Sequence, residues 1–369
     1  MSMAGIDEIV AGTLTRDGAP GNGACGLRTI GRMSTGPSDT KALRWFGAAD
    51  VIEAMPPLAE RIRLAETAMT ALARPGATEM PPKVALHPRP EASFVHAMPA
   101  HLRSADGIDG DLVGMKWVSG FATNTALGLP GISAVIVMND PATGIPTAIL
   151  DGGPITAQRT AAVSGLAIDR FGPAKREGLD VALIGAGVQA HSHLPVIAHL
   201  LPGATLHVFD VTGNRAIAFA ETAKSTPGID RVVVHDTARA AVDPAAVIVS
   251  AASFGPAEER QTMTNAWLRP DATVIPIDYA TYAAAEVARD AALFLVDERG
   301  QYLANRDAGN FDGYPDPSAT IGEAILAGTA RPDGRVVISH LGVGLMDLVF
   351  ADAIVRSAVA MGLGTDLPR

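Results

Sequence analysis

The stretch VALIGAGVQA at residues 181–190 decides the fold. An apolar run leads straight into a Gly-x-Gly-x-x-Ala turn, and a helix is predicted to begin near His191. In such a turn Gly185 permits the tight bend, and Gly187 lets the backbone approach a pyrophosphate. Ala190 allows the helix to pack closely on the strand. The pyrophosphate would lie at the helix N-terminus, where free N–H groups and the helix dipole favour negative charge.

An acidic residue follows where a dinucleotide site needs one. Asp210 ends the next apolar run, and its carboxylate is expected to accept the ribose hydroxyls and to repel a 2′-phosphate, which favours NAD(H). Arg215 could still hold that phosphate, so NADP(H) remains possible. A glycine-rich turn without a ligand is the alternative, but the strand, the helix and Asp210 together make the motif specific. The predicted cofactor contacts in the turn are Gly185, Ala186, Gly187, Val188 and Gln189.

The chain around this motif alternates buried strands with helical spacers. This rhythm predicts an α/β fold with a Rossmann-type, doubly wound parallel sheet over residues 156–300. Beyond Asp297 the chain is expected to leave that sheet. The strands are predicted at 181–184, 205–209, 231–234, 246–250, 273–276 and 293–296.

The residues before this region have a different pattern. From Ala48 the apolar residues recur at helical spacing until Pro75-Gly76, and strand-like runs follow, so we expect an antiparallel or mixed sheet with a helix on it. Residues 1–42 are rich in Gly, Ser, Thr and Pro and are interpreted as an extension. Residues 43–155 and 301–369 are expected to form one discontinuous α+β domain. Its strands are predicted at 83–86, 93–97, 112–118, 133–138 and 146–150.

The composition excludes several classes of function. With 369 residues, 48% hydrophobic and 18% charged, the chain suits two globular domains. A net charge of −10 repels polyanions, which argues against nucleic-acid binding. No apolar run is long enough to span a membrane. Cys25 is the single cysteine, which excludes an internal disulfide and favours a cytoplasmic location.

Three upstream segments, read together with the glycine-rich turn, resemble the ornithine cyclodeaminase and mu-crystallin family. They stand in the family's order before a Gly-Ala-Gly-x-Gln-Ala turn, and the likeness runs from about residue 43 to the C-terminus. The segments are His96-Ala-Met98-Pro99, Gly114-Met-Lys116-Trp-Val118 with Asn124-Thr125 after it, and Thr156-Ala-Gln-Arg159-Thr160.

The resemblance implies a two-domain homodimer in which the discontinuous domain binds the substrate and forms the dimer. It further implies an NAD(P)-dependent hydride transfer at the α-carbon of an amino or imino acid. A ketimine or imino-acid reductase, or an amino-acid dehydrogenase, is the favoured function. An NAD-dependent cyclodeaminase acting on ornithine or a related basic amino acid, and a dinucleotide-gated binding protein, are the alternatives.

Individual residues can be matched to the family's motifs. Lys116 and Arg159 correspond to its carboxylate-binding Lys and Arg, and Asp278 falls where it keeps an active-site Asp. Asn124 and Thr160 fall near the residues that hold the nicotinamide half of the cofactor.

The sequence departs from the family at three positions. Lys83 stands for a further carboxylate-binding Arg, which keeps the charge and loses the fork of donors. His96 replaces a Glu of the cyclodeaminases, and His340 replaces a small Ser. These changes weigh against deaminating cyclisation and leave hydride transfer intact.

Each predicted catalytic residue has a plainer alternative. Lys116 could form only an ion pair, Arg159 could bind cofactor phosphates, and Asp278 could cap the following helix. His96 is either a general acid/base or a hydrogen-bonded structural residue. No metal site is expected, because His191 and His193 cannot share a helical face. Asp347 and Glu323 are interpreted as structural.

Overall fold

Two β-sheets organise the chain, and they meet across one long helix. The computed structural model describes residues 42–89, 93–104, 108, 110–253 and 257–369. These residues belong to one compact unit, Lys41–Arg369. The predicted N-terminal extension, apart from residue 42, lies outside the described residues. The prediction that its boundary falls at residue 42, and that others fall at 155 and 300, stays a prediction.

The first sheet is mixed, with strand order β16-β1-β7-β6-β5-β4-β2 and β3 paired to β4. All the strands predicted for this region are present, and the short strands β1, β2 and β16 were not predicted. Only the β1–β7 pair is parallel among these strands. The strands are β1 Leu43–Phe46, β2 Thr78–Glu79, β3 Val84–Leu86, β4 Ser93–Leu102, β5 Leu112–Phe121, β6 Ile132–Asn139, β7 Pro146–Asp151 and β16 Thr365–Leu367.

Helices cover one face of this sheet. The single helix predicted from Ala48 is in fact two, because Pro56 and Pro57 interrupt it. Proline lacks the N–H that a helix interior needs and its ring clashes with the preceding turn. The helices are α1 Ala48–Glu53, α2 Leu58–Leu72, α3 Gly152–Phe171 and α10 Gly344–Ala360.

The second sheet is parallel throughout, with order β10-β9-β8-β11-β12-β15-β13-β14. The chain reverses direction across the sheet between β8 and β11, which is the doubly wound arrangement that binds dinucleotides at the switch point. The predicted fold class, a Rossmann-type sheet with a second domain, is confirmed. Its strands are β8 Asp180–Ile184, β9 Ala204–Phe209, β10 Ile229–Val234, β11 Val247–Ser250, β12 Thr273–Pro276, β13 Leu293–Val296, β14 Ala319–Thr320 and β15 Val336–Ser339.

The chain stays in this sheet longer than expected. The prediction that it leaves after Asp297 is wrong for β14 and β15, because β15 lies between β12 and β13. The fully buried sequence of β15 is short, and its pairing with distant strands depends on tertiary structure. The helices around this sheet are α4 Val188–Leu200, α5 Gly213–Lys224, α6 Ala238–Val242, α7 Ala285–Arg289, α8 Arg299–Asp307 and α9 Ile321–Leu326.

Helix α3 joins the two sheets. It packs against α2 and β6 of the first sheet and against α4 and β12 of the second. The carboxylate of Asp151 caps its N-terminus by accepting a hydrogen bond from the N–H of Gly153. Its first turns therefore lie where the first sheet meets the carboxyl edge of the second.

Candidate active site

The glycine-rich turn has the conformation that its sequence predicts. Gly185 adopts φ +96°, and a Cβ there would lie 2.7 Å from the carbonyl oxygen of Ala251. Gly187 is the N-cap of α4, and a Cβ there would meet nothing within 4 Å. The helix begins at Val188, three residues before the predicted start. The open space beside Gly187 at this N-terminus fits a pyrophosphate.

Asp210 is fixed beside this turn. Its Oδ2 accepts a hydrogen bond from the N–H of Ala186 at 2.8 Å, and its Oδ1 accepts one from Thr212 at 2.7 Å. The guanidinium of Arg215 approaches Oδ2 at 3.8 Å and is largely exposed. The carboxylate at the end of β9 is thus held in place by backbone donors.

A buried ion cluster joins three elements near the start of α3. Asp347, in the first turn of α10, binds Lys116 Nζ of β5 through Oδ2 at 2.7 Å and Arg159 Nε of α3 through Oδ1 at 3.2 Å. Lys116 also contacts the hydroxyl of Thr156 at 3.5 Å. When Lys116 is protonated, two cations face one buried carboxylate, and the cluster then has a net positive charge that can receive a further anion.

Burial controls the charge of Lys116. Desolvation lowers the pKa of its ammonium group to about 7, although Asp347 opposes this shift by favouring the charged form. The plainer alternative for Lys116, an ion pair, is present in this structure. An ion pair does not exclude ligand binding, since the cluster retains a second cation in Arg159.

Lys83 lies on the other side of the same region. Its Nζ donates hydrogen bonds to the hydroxyl of Tyr279 at 3.0 Å and to the carbonyl of Leu341 at 2.9 Å. Asp297 fixes the loop that contains Leu341, because its Oδ2 accepts hydrogen bonds from the N–H groups of Leu341 and Gly342 at 2.8 and 2.7 Å. The loop therefore connects Lys83 to the residues around Arg159.

Gly342 packs directly on Arg159. It adopts φ +79°, and a Cβ at this position would lie 2.4 to 2.8 Å from the guanidinium group. Within the described residues, the one hydrogen bond that Arg159 makes is from Nε to Asp347. Nη1 and Nη2 thus remain for a ligand.

Asp278 follows β12 at the carboxyl edge of the second sheet. Burial raises the pKa of its carboxyl group to about 7. Its Oδ2 accepts a weak hydrogen bond from Ala252 at 3.4 Å, whereas Oδ1 is buried without a partner. Tyr279 and Ala280 adopt φ +54° and +58°, and such strain concentrates at functional sites. Asp278 caps no helix, because α7 begins with Ala284 as its N-cap.

His96 faces the same side of the first sheet as Lys116. Its ring stacks on Phe94 with the centroids 4.5 Å apart. Burial, and then the charges of Lys83, His87 and Lys116, lower its pKa to about 4. The imidazole is therefore neutral at neutral pH and presents an acceptor and a donor rather than a charge.

The two residues predicted to hold the nicotinamide half are bonded locally. Asn124 lies in the 3-10 turn after β5 and donates its amide to the carbonyl of Pro130. Thr160 is buried and donates its hydroxyl to the carbonyl of Thr156 within α3. Thr160 follows Arg159 directly in α3, whereas Asn124 lies in a turn of the first sheet.

Asp347 and Asp297 are the residues of this site that sequence reasoning missed. The structure places the Asp347 carboxylate between the two predicted carboxylate-binding residues, and its interpretation as structural stays a prediction. The spacing Gly342-x-x-x-x-Asp347 was the available signal. Glu323, by contrast, forms a capping box with Thr320, which is a structural role.

Two features are absent from the part of the chain that the structure describes. No cluster of His, Cys, Asp or Glu there could hold a metal ion. None of the described helices is long and apolar enough to cross a bilayer.

Comparison with known proteins identifies the family. The model of the ornithine cyclodeaminase/mu-crystallin family matches residues 48–343. The chain belongs to this family. The ketimine reductase mu-crystallin of Mus musculus is 30% identical over 270 residues, which cover 72% of this chain and 80% of that protein.

Other family relatives cover more of the chain. A nodulation efficiency protein of Rhizobium meliloti is 28% identical over 88% of this chain and 98% of its own length. Among solved structures, the Delta(1)-pyrroline-2-carboxylate reductase of Thermococcus litoralis, in complex with NADH and L-proline, superposes with a TM-score of 0.75. It is 25% identical and covers 88% of this chain and 100% of that one.

Proposed function

We propose that this chain is an imino-acid reductase that transfers a hydride from NADH to the α-carbon of a ketimine carboxylate. It is an NAD(P)-dependent oxidoreductase of a family whose relatives include ketimine and pyrroline-2-carboxylate reductases. The observation that carries the proposal is the buried cluster of Lys116, Asp347 and Arg159, with two cations for one anion, in a member of this family. Such a cluster suits the carboxylate of an amino or imino acid.

The residues of the dinucleotide turn fit NAD(H). Gly187 leaves space for a pyrophosphate at the N-terminus of α4, and Asp210 stands where the ribose hydroxyls would lie. When bound, the cofactor supplies or accepts the hydride. Gln189 Oε1 is buried without a partner at this turn, which also indicates a missing donor.

The protein's own groups then bind and orient the substrate. Arg159 offers Nη1 and Nη2 to the carboxylate as a planar fork, and Lys116 adds a point charge. Asp278 holds a proton or a negative charge at Oδ1, beside the substrate nitrogen, because its pKa of about 7 allows both forms. Neutral His96 would line the substrate site on the side of the first sheet.

Arg159→Lys tests the proposal. If the arginine fork grips the carboxylate, the lysine keeps the charge and loses the paired hydrogen bonds, which costs on the order of 1–3 kcal/mol. We expect kcat/KM for cyclic imine carboxylates to fall by roughly one to two factors of ten. The loss should shrink for the esters of the same substrates, and the affinity for NADH should barely change.

The comparison of acids with esters is followed by the absorbance of NADH. A uniform loss for acids and esters, together with weaker NADH binding, would mean that Arg159 binds cofactor phosphates. Release of ammonia from ornithine without net change in absorbance would instead identify a cyclodeaminase. Tight substrate binding with no turnover of any substrate would identify a binding protein.

We also propose that the protein is a homodimer. The outer face of the first sheet is apolar, with Val84, Leu86 and Trp117 exposed by 61%, 54% and 41%. The register pairs Trp117 with Ala97 and with Val135, so these side chains share one face. A second copy of this chain is the partner that such a face fits. A cytoplasmic location remains part of the proposal, from the single cysteine.

A further inference from the structure

A chain of buried side chains leads from the dinucleotide turn to the region of Arg159. His193 of α4 bonds through Nδ1 to the carbonyl of Gln189 at 2.7 Å and through Nε2 to the hydroxyl of Ser164 at 2.8 Å. The same hydroxyl of α3 contacts His340 Nε2 at 2.9 Å. His193, Ser164 and His340 are at most 3% exposed. The neutral forms dominate, because burial lowers the pKa of His193 to about 4 and that of His340 well below its usual value.

The direction of these hydrogen bonds follows from one carbonyl group. The oxygen of Gln189 can only accept, so Nδ1 of His193 carries the hydrogen and its Nε2 is bare. Ser164 therefore donates its only hydrogen to His193 and accepts from His340. Neutral His340 thus carries its hydrogen on Nε2, and its Nδ1 presents a lone pair.

That lone pair has no partner. His340 Nδ1 is buried and unbonded, and buried polar atoms of this kind are rare in proteins. His340 directly precedes the loop of Leu341 and Gly342, and a Cβ at Gly342 would lie 2.4 Å from Nη1 of Arg159.

Arg159 has more donors than its known partners can accept. A guanidinium has five N–H groups, of which Nε–H binds Asp347 and two would bind a carboxylate. Two N–H groups of the guanidinium then remain for an acceptor of the protein or for water.

We propose that His340 is a positioning residue for Arg159 and accepts a leftover guanidinium N–H at Nδ1 when the arginine binds the substrate carboxylate. This inference rests on the proposed function of Arg159. It assigns Ser164 a supporting role, because its hydroxyl keeps His340 in the Nε2–H tautomer. The position that holds a small Ser in the resembling family would then carry a specific acceptor in this chain.

Two substitutions of His340 distinguish the role of Nδ1 from that of Nε2. In His340→Gln the amide can reach Ser164, but no acceptor remains at the place of Nδ1. In His340→Asn the amide oxygen lies near the place of Nδ1, and the bond to Ser164 is lost. We expect the KM of the imine carboxylate to rise about tenfold in His340→Gln and less than about threefold in His340→Asn. kcat and the KM of NADH should change little in either variant.

Further measurements exclude a purely structural role. The effect of His340→Gln should vanish with the ester substrate and should not add to that of Arg159→Lys in a double-mutant cycle. Ser164→Ala is a smaller change that should also raise the KM of the imine carboxylate. It provides the test if His340→Gln does not fold. Equal effects of the Gln and Asn variants, or equal effects on acid and ester, would overturn the inference. An acid-selective loss in Arg159→Lys alone would leave the proposed function standing and this inference refuted.

Discussion

Asp278 shows how burial of one residue links folding to pH. Its pKa is 3.8 in the unfolded chain and about 7 in the folded protein. Between these values the folded protein holds a proton that the unfolded chain has released, so the free energy of unfolding falls as the pH rises. Above pH 7 the folded protein has also lost this proton, and the buried charge then lowers the free energy of unfolding by its full amount.

Asp278→Asn should remove this dependence. Relative to the natural chain, the variant should gain on the order of 1–3 kcal/mol in the free energy of unfolding between pH 5 and pH 8. Urea unfolding at the two pH values measures it. Asp307→Asn is the control, because that carboxylate is 77% exposed. If the difference between Asp278→Asn and the natural chain is the same at both pH values, Asp278 is not the source of the slope.

Asp210 and Arg215 are the residues expected to determine whether NADH or NADPH binds more tightly. Since backbone N–H groups hold the Asp210 carboxylate beside the turn, a 2′-phosphate would meet a fixed negative charge. We expect NADH to bind about tenfold more tightly than NADPH, which corresponds to about 1.4 kcal/mol. Fluorescence titration of both cofactors measures this. A preference for NADPH that persists in Arg215→Ala would contradict it.

The sequence predicted the basic residues of the site better than their acidic partner. Lys83, Lys116 and Arg159 stand in motifs, and the fold does bring Lys116 and Arg159 to one carboxylate. Asp347 was not recognised, because an acidic residue in the first turn of a helix is ordinary for reasons of the helix dipole. Its position between two cations depends on how α10 packs on β5, which no local pattern reveals.

At the scale of elements, the loop after β15 should be sensitive to one added methyl group. Gly342→Ala places a Cβ against the guanidinium of Arg159 in a backbone conformation that alanine disfavours. Arg159 must shift, and a displacement near 1 Å can cost on the order of 100-fold in rate. We expect a loss of that size in kcat/KM for the carboxylate substrate.

Gly328→Ala separates the steric effect from backbone strain. Gly328 has φ +64°, but a Cβ there would meet nothing within 4 Å. Both variants should lose stability by about 1 kcal/mol, because both force alanine into the left-handed region. Thermal unfolding and kinetics on the two proteins test this. Equal kcat/KM in Gly342→Ala and Gly328→Ala would show that Gly342 does not constrain Arg159.

Helices and strands were predicted correctly where the apolar pattern of the sequence is local and continues over many residues. The strands predicted from continuous or alternating apolar runs are all present, whereas the short buried run of β15 was not predicted as a strand. The break at Pro56-Pro57 was overlooked because apolar residues continue the helical period on both sides. Strand β1 was missed because it is four residues long and pairs with β16, more than 300 residues away.

At the scale of the molecule, the site depends on α3 as the connection between the sheets. Lys116 comes from the first sheet, Asp278 and the loop at Leu341 come from the second, and Arg159 lies on α3 itself. Ligands of open α/β sheets bind at the carboxyl ends of the strands. The first turns of α3 carry Arg159 to that edge, so substrate and cofactor would meet where the two sheets face each other.

The other face of the first sheet leads to the last prediction. Side chains that point inward from β5, such as Val118, are buried, whereas Trp117 on the outer face is 41% exposed. Exposed aromatic and branched side chains on one sheet face usually mark a protein interface. We expect light scattering at micromolar concentration to give twice the chain mass of 38.0 kDa.

Trp117→Glu should break this dimer, because two copies would bury opposing carboxylates in an apolar contact. Ile217→Glu is the matched control, since Ile217 is an apolar residue of α5 that is 54% exposed on the second sheet's side. The first variant should become a monomer at micromolar concentration, and the second should keep the mass of the natural chain. A natural chain that is monomeric would refute the prediction, because the apolar face would then be covered by the chain itself. Dissociation of the Ile217 variant alone would move the interface to the Rossmann-type sheet.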